Sequence, residues 1–310
     1  VWNNELAYSI TDSYAFQREA FDADNFQLYR VYRKSAGASL NDGYYLMPVD
    51  ATFYLTDATK EEDYAATGTS EEVKVSYKYV PEGVSTGAQT ELTAVAFSVD
   101  PSKYTADEEG RLVPNKGATA YSNSNKITMN LSPDYVTDLD IALAEGNALY
   151  VGDTATGADF TVTATYASGY VDASKNVLNP EGEYSVNAPD PLALDSAIKI
   201  TYTGSLAANS ATYGVSNVYT ADVDVLDYIV SFSLALADEE KEFFTGEKIE
   251  ASDFVFSDFV YKSGAKSATL PAGATINVKR GLFNLSETGT QNAFFTVTIN
   301  NKESDQMNLA

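Results

Sequence analysis

The sequence predicts an all-β protein built of tandem sandwiches, and three observations carry that expectation. Of its 310 residues 44% are apolar, with 22 Tyr and 15 Phe against a single Trp; such residues, together with the many Val and Thr, suit pleated, half-buried strands better than helices. Apolar and polar residues alternate over many short stretches, the period of a strand with one buried face. The chain also repeats itself internally, and its length is too great for one ordinary sandwich but about right for three of roughly 100 residues.

The repeat is read from paired segments. Leu139, Ile141, Leu143, Ala144 and Glu145 return as Phe232, Leu234, Leu236, Ala237 and Asp238, with small or polar residues between the apolar ones. Leu149-Tyr150-Val151-Gly152-Asp153 then corresponds to Phe243-Phe244-Thr245-Gly246-Glu247, an aromatic position followed by a Gly-acid turn. A long alternating strand follows, Phe160, Val162, Ala164 and Tyr166 in one copy and Phe254, Phe256, Phe259 and Tyr261 in the other. The second copy is one residue longer between Phe256 and Phe259. A one-residue slip turns every later side chain to the other face, so a β-bulge is expected near Ser257-Asp258. Both strands close on Ser-Gly, at Ser168-Gly169 and Ser263-Gly264. Further on, Tyr184 and Val186 are matched with Ile276 and Val278, and Ile198, Ile200 and Tyr202 with Phe295, Val297 and Ile299. The offset stays near about 95 residues, the size of one immunoglobulin-like sandwich. Two complete copies are therefore expected, at 134–227 and 228–310.

This pattern resembles the bacterial immunoglobulin-like (Big-type) repeat families of surface and phage virion proteins. The resemblance rests on Tyr150, Gly152, Asp153, Tyr166 and Gly169, repeated as Phe244, Gly246, Glu247, Tyr261 and Gly264. It implies tandem immunoglobulin-like β-sandwich domains without a cysteine bridge, in a spacer or adhesive role, and no catalytic residues. Residues 1–133 fit it less well. Val73, Val75, Tyr77 and Tyr79 alternate there, then Phe97 and Val99, then Ile127, Met129 and Leu131, which predicts an N-terminal β domain, either a divergent third sandwich with an N-terminal extension or another β fold. Tyr54-Leu55-Thr56-Asp57 is read as a worn Gly-acid turn. Between Trp2 and Arg33 the apolar residues keep no clean period; Phe26, Leu28 and Arg30 read as strand, and the stretch before them is open to a short helix. That segment either completes its own domain or adds to a neighbouring subunit's sheet edge.

Composition removes several classes of function. There is no Cys and no His, so disulfides, thiolate metal sites, cysteine nucleophiles and the Ser-His-Asp triad are excluded. Twenty Lys and Arg against 44 Asp and Glu leave a formal charge of −24, which repels nucleic acid and anionic lipid at long range. The charge is spread along the chain, as on solvated strand faces. No apolar run is long enough to span a bilayer, and Val1 in place of an initiator Met reads as a processed or excised chain, with a signal peptide, anchor or further domains beyond it. Low Lys content with abundant Thr, Asn, Ser and Tyr points to an extracellular, cell-surface or virion setting.

One candidate site remains. Each expected domain junction carries three aspartates, Asp134, Asp138 and Asp140 at the first and Asp222, Asp224 and Asp227 at the second. Hard carboxylate oxygens in such number suit a calcium ion bridging adjacent domains, although Asp222 and Asp224 alternate with Val223 and Val225 as exposed edge positions also would. The junctions themselves, at 132–138 and 225–231, are expected to be short linkers crossed by few contacts. Ser263-Gly264-Ala265-Lys266 matches the Ser-x-x-Lys nucleophile pattern but lacks its companion motifs and falls in a turn. Asn130-Leu131-Ser132 and Asn284-Leu285-Ser286 are formal glycosylation sequons. The functional expectation is a non-enzymatic structural or adhesive protein that meets a protein or carbohydrate ligand. Copies of itself in an extracellular assembly, a virion or a filament, are the alternative, and accessory domains of a carbohydrate-active enzyme a third reading.

Overall fold

The computed structural model describes residues 1–55, 71–73, 75–79, 96–116, 127–171, 176–280 and 292–309. Strands dominate it, and the only α-helix among the described residues is the single turn and a half at Ala207–Thr212. The chain is therefore all-β, as its residue usage requires. Two compact units divide it, Val1–Asp138 with Thr165–Ala173 and Ala208–Tyr213, and Leu139–Ala164 with Ser174–Ala207 and Gly214–Ala310.

The first unit carries β1 (Trp2–Ile10), β2 (Tyr14–Phe16), β3 (Phe26–Arg33), β4 (Tyr44–Val49), β5 (Thr52–Leu55), β6 (Glu71–Val73), β7 (Val75–Lys78), β8 (Ala96–Ser98), β9 (Tyr104–Ala106), β10 (Leu112–Pro114) and β11 (Ile127–Ser132). One sheet runs β8-β1-β3-β4-β10-β9, a second β2-β11-β6, and β5 pairs with β7. The central strands are covered on both faces. Leu6, Tyr8, Phe26 and Leu28 pack with Phe53, Tyr77 and Leu131 on one side, while Ala7, Tyr29, Val31 and Leu46 pack with Val99 on the other. That explains the missing period between Trp2 and Arg33, because a strand buried on both faces reads as a continuous apolar run. The short helix expected before Phe26 is a single 3-10 turn at Ala23–Asn25, while β1 is a strand, hydrogen-bonded to β3 on one side and β8 on the other. Both its edges are thus filled from its own chain. The turn sought at Tyr54–Asp57 falls partly outside the described residues, and Tyr54 itself pairs with Ser76 in the β5–β7 ladder.

Beyond Asp134 come β12 (Val136–Leu143), β13 (Leu149–Tyr150), β14 (Phe160–Tyr166), β15 (Tyr184–Asn187), β16 (Ile198–Tyr202), β17 (Val218–Ala221) and β18 (Val225–Leu226). β12 pairs with β14, β16 lies between β15 and β17, and β13 runs parallel to β18. Phe160, Val162, Ala164 and Tyr166 are all buried, as their alternation demands. The last group is β19 (Ile229–Leu236), β20 (Phe254–Tyr261), β21 (Lys266–Ser267), β22 (Thr275–Arg280), β23 (Ala293–Ile299), β24 (Lys302–Glu303) and β25 (Met307–Leu309). β20 lies between β19 and β21, and β23 pairs with β22, β24 and β25. Its core gathers Phe232, Phe254, Phe259, Phe295 and Val297.

The bulge expected in β20 is present. Ser231 stands opposite Val260 but Ser233 opposite Ser257, so β20 spends one residue more than β19 between the two pairs. Asp258 takes the left-handed backbone, at φ 52°, and Phe259 returns to the core with 0% exposure. The later match is corrected by register. Tyr184 faces Tyr202 whereas Ile276 faces Val297, so Val297 and not Ile299 stands where Tyr202 does; a two-residue slip keeps the same face and is invisible to an alternation pattern.

Two outcomes follow from this packing. Deleting Asp258 should unfold the C-terminal sheet by turning Phe259 outward, whereas Asp258→Gly, which relieves the left-handed backbone, should leave the urea midpoint unchanged or higher. Burial pushes the Tyr77 hydroxyl up to about 12 from its ordinary 10.0. The folded state thus prefers the neutral phenol, and its contribution is complete below pH 10.0 and lost as pH rises toward about 12. Alkaline melting curves of Tyr77→Phe should fall less steeply over that window than those of the parent chain.

Candidate functional site

The two junction aspartates organise the same local structure. At the first, the Asp134 carboxylate accepts from the backbone N–H groups of Tyr135 and Ser168 through Oδ1, at 2.8 and 3.0 Å, and from the Ser168 hydroxyl through Oδ2, at 2.8 Å. At the second, Asp227 accepts from the N–H groups of Tyr228 and Ser263, at 2.9 and 3.2 Å, and from the Ser263 hydroxyl, at 2.5 Å. Both aspartate carbonyls are also held at 2.9 Å by a side-chain amide, from Asn209 and Asn300 respectively. The Ser-Gly turns make this geometry. Gly169 and Gly264 take φ of 68° and 89°, which only glycine adopts without strain, and they reverse the chain so that each serine faces an aspartate, Asp134 ahead of β12 and Asp227 ahead of β19.

Among the described residues the aromatic-acid turn occurs three times. Glu19, Asp153 and Glu247 each accept a hydrogen bond from the backbone N–H three residues earlier, at Phe16, Tyr150 and Phe244, and each donates its own N–H back to that residue's carbonyl. A 3-10 turn follows each time, at Ala23–Asn25, Gly157–Asp159 and Ala251–Asp253, and leads into a strand beginning at Phe26, Phe160 and Phe254. The N-terminal copy escaped notice because the glycine is replaced. Gly152 and Gly246 take φ of 90° and 87°, and Arg18 occupies the same place at φ 66°. The acid three residues after an aromatic, with Phe seven residues further on, was the signal that could have found it.

Arg18 accounts for the difference between the junctions. Its Nε donates to Asp134 Oδ2 at 3.0 Å, its Nη2 pairs with the same oxygen, and its guanidinium lies 4.3 Å from the Tyr166 ring centre and 4.9 Å from that of Tyr170. Asp134 is 1% exposed. Around it Phe16 meets Tyr135 edge-on at 5.8 Å, and Tyr135 stacks on Tyr213 at 4.3 Å. Asp227 is half-buried, and among the described residues no arginine meets it. There Tyr150 meets Tyr228 edge-on at 6.0 Å, the Tyr150 hydroxyl donates to the Asn300 carbonyl at 2.6 Å, and Lys302 Nζ sits 4.3 Å from the Tyr150 ring centre. The segment 132–138, expected as a short linker, holds the end of β11, the start of β12 and between them the buried Asp134 carboxylate with its hydrogen bonds.

The other four aspartates lie elsewhere on their strands. Asp138 and Asp140 are exposed on β12, and Asp222 and Asp224 are exposed between β17 and β18. The lone pairs of Asp134 that a cation would take are held by five N–H and O–H donors. Among the described residues no three His, Cys, Asp or Glu side chains form a group that could hold a metal ion. Ser263 of the Ser-x-x-Lys match spends its hydroxyl on Asp227, which gives it a structural task. Asn130 is exposed on β11, and the sequon at Asn284 lies outside the described residues. No helix among the described residues is long and apolar enough to cross a membrane.

No family model matches the chain, and no curated protein matches it either. Among solved structures it is similar to the surface layer protein SbsC, domains 1–6, at 12% identity and a TM-score of 0.27, over 97% of this chain and 39% of that one. The chain thus spans well under half of that protein's length, and a likeness so low carries neither fold nor role across.

Removing the two junction carboxylates should separate their weights. Asp134→Ala leaves the part-buried Arg18 without its partner, and the loss of about 3–5 kcal/mol on breaking a fully buried pair is the upper bound for it; Asp227→Ala loses hydrogen bonds to neutral donors at a half-exposed site, about 1–2 kcal/mol. Urea unfolding should rank them in that order. Equal losses would mean that the Arg18 pairing adds nothing to stability.

Proposed function

We propose that this chain is a non-catalytic extracellular structural or adhesive protein whose tandem immunoglobulin-like sandwiches, at 1–133, 134–227 and 228–310, serve as spacer or binding modules at a cell or virion surface. One observation carries the reading: among the described residues the aromatic-acid turn and the strand after it recur three times, and the first two turns each meet the Asp-Tyr step of the following segment. A protein that positions something at a distance needs its orientation passed from one segment to the next, and a hydrogen-bonded carboxylate does that where a flexible linker would not. The acidic surface supports the same reading, since a charge of −24 keeps a crowded, exposed protein soluble. Carbohydrate or protein surfaces are the ligands such a role implies.

Sedimentation velocity tests it. A spacer should run as one species at monomer mass from dilute to concentrated solution, in the presence or absence of chelator. Growth of higher-mass species with concentration would instead favour a subunit of an extracellular assembly.

A further inference from the structure

The third aromatic-acid turn lacks what the other two possess. In the first, β2 runs parallel to β11, with Phe16 opposite Ser132, and Gln17 N–H donates to the Ser132 carbonyl at 3.0 Å. In the second, β13 runs parallel to β18, with Tyr150 opposite Leu226, and Val151 N–H donates to the Leu226 carbonyl at 3.0 Å. Each incoming strand then delivers an Asp-Tyr step whose tyrosine meets the turn's aromatic edge-on. At the third turn Phe244 is 74% exposed, Phe243 and Phe244 belong to no strand, and the Thr245 N–H has no partner among the described residues.

We propose that Phe243–Thr245 is a docking slot for a short parallel β-strand ending in Asp-Tyr, supplied by a further module of the same type. The occupant is specified by the two filled slots. Both hold a short strand that lines up beside the turn's aromatic, and both are followed by Asp-Tyr. The strand arrives from the right place as well, because Ala293 pairs with Leu309 as Ile198 pairs with Ala221, and β18 begins shortly after Ala221. Parallel pairing satisfies the Thr245 amide, and the tyrosine covers Phe244. This inference rests on reading the chain as a series of like modules, but that reading is tested by monomer mass and can stand if the slot does not.

The experiment extends the full chain after Ala310 by the six residues of Val223–Tyr228, Val-Asp-Val-Leu-Asp-Tyr, which places the strand at high effective concentration. Amide hydrogen exchange of Thr245 should slow by about tenfold or more relative to the parent. Phe244→Ala in the extended chain should cancel most of that protection, while Phe244→Ala in the parent, at an exposed position, should leave its melting temperature unchanged. An extension that leaves Thr245 exchange at the parent rate overturns the proposal. So does a parent chain that dimerises through Phe244, because its occupant would then be a second copy using some other surface.

Discussion

Burying the Asp134 carboxylate sets the terms for much of the surrounding structure. A carboxylate removed from water costs several kcal/mol unless donors replace the lost hydration, so its position commits other parts of the chain. Ser168 must turn back, which needs glycine at 169, and Arg18 must reach in, which fixes the aromatic-acid turn beside it. Tyr166 and Tyr170 then cover the guanidinium. Residues far apart in sequence are thus committed to one geometry by a single desolvation requirement.

The same requirement explains why a non-glycine residue is kept at a left-handed position. Arg18 at φ 66° carries a backbone strain of about 1–2 kcal/mol. Glycine fills the equivalent place in the other two turns without that cost, but it offers no charge. The strain persists because a turn side chain is the one placed to meet Asp134, and an ion pair with rings over the cation outweighs it. Where the acceptor is half-exposed, as at Asp227, water shares the task and Gly152 suffices.

Much of the fold was legible because it depends on local rules. Alternation located β14 and β20, the Ser-Gly pairs located their ends, and the extra residue between Phe256 and Phe259 announced the bulge at Asp258. What failed was whatever depended on the third dimension. β1 and β3 are buried on both faces and so show no period, and β22–β23 register cannot be read from alternation because a two-residue slip preserves it. The N-terminal turn hid behind Arg18, since a search for glycine finds a conformation only where glycine supplies it. The sequence offers Asp134 and Asp227 as carboxylates at the expected junctions but not what meets them: acidic residues look the same in sequence whether metal ions or N–H groups answer them. Asp134 and Asp227, each followed by Tyr and then by Ser-Gly at nearly the same distance, held the distinction.

An acidic chain has reason to build its junctions from acceptors met by its own donors. Its surface charges respond to ionic strength, as exposed charges beyond about a Debye length of one another are screened by salt. A carboxylate held by backbone N–H and serine hydroxyl groups draws on neutral dipoles, and at Asp134 the one charged donor is partly covered by two tyrosine rings. Salt screens such a part-buried pair less than an exposed one. The local geometry around Asp134 therefore stays fixed while the field around the molecule changes with salt, in surroundings whose ionic strength the protein does not control.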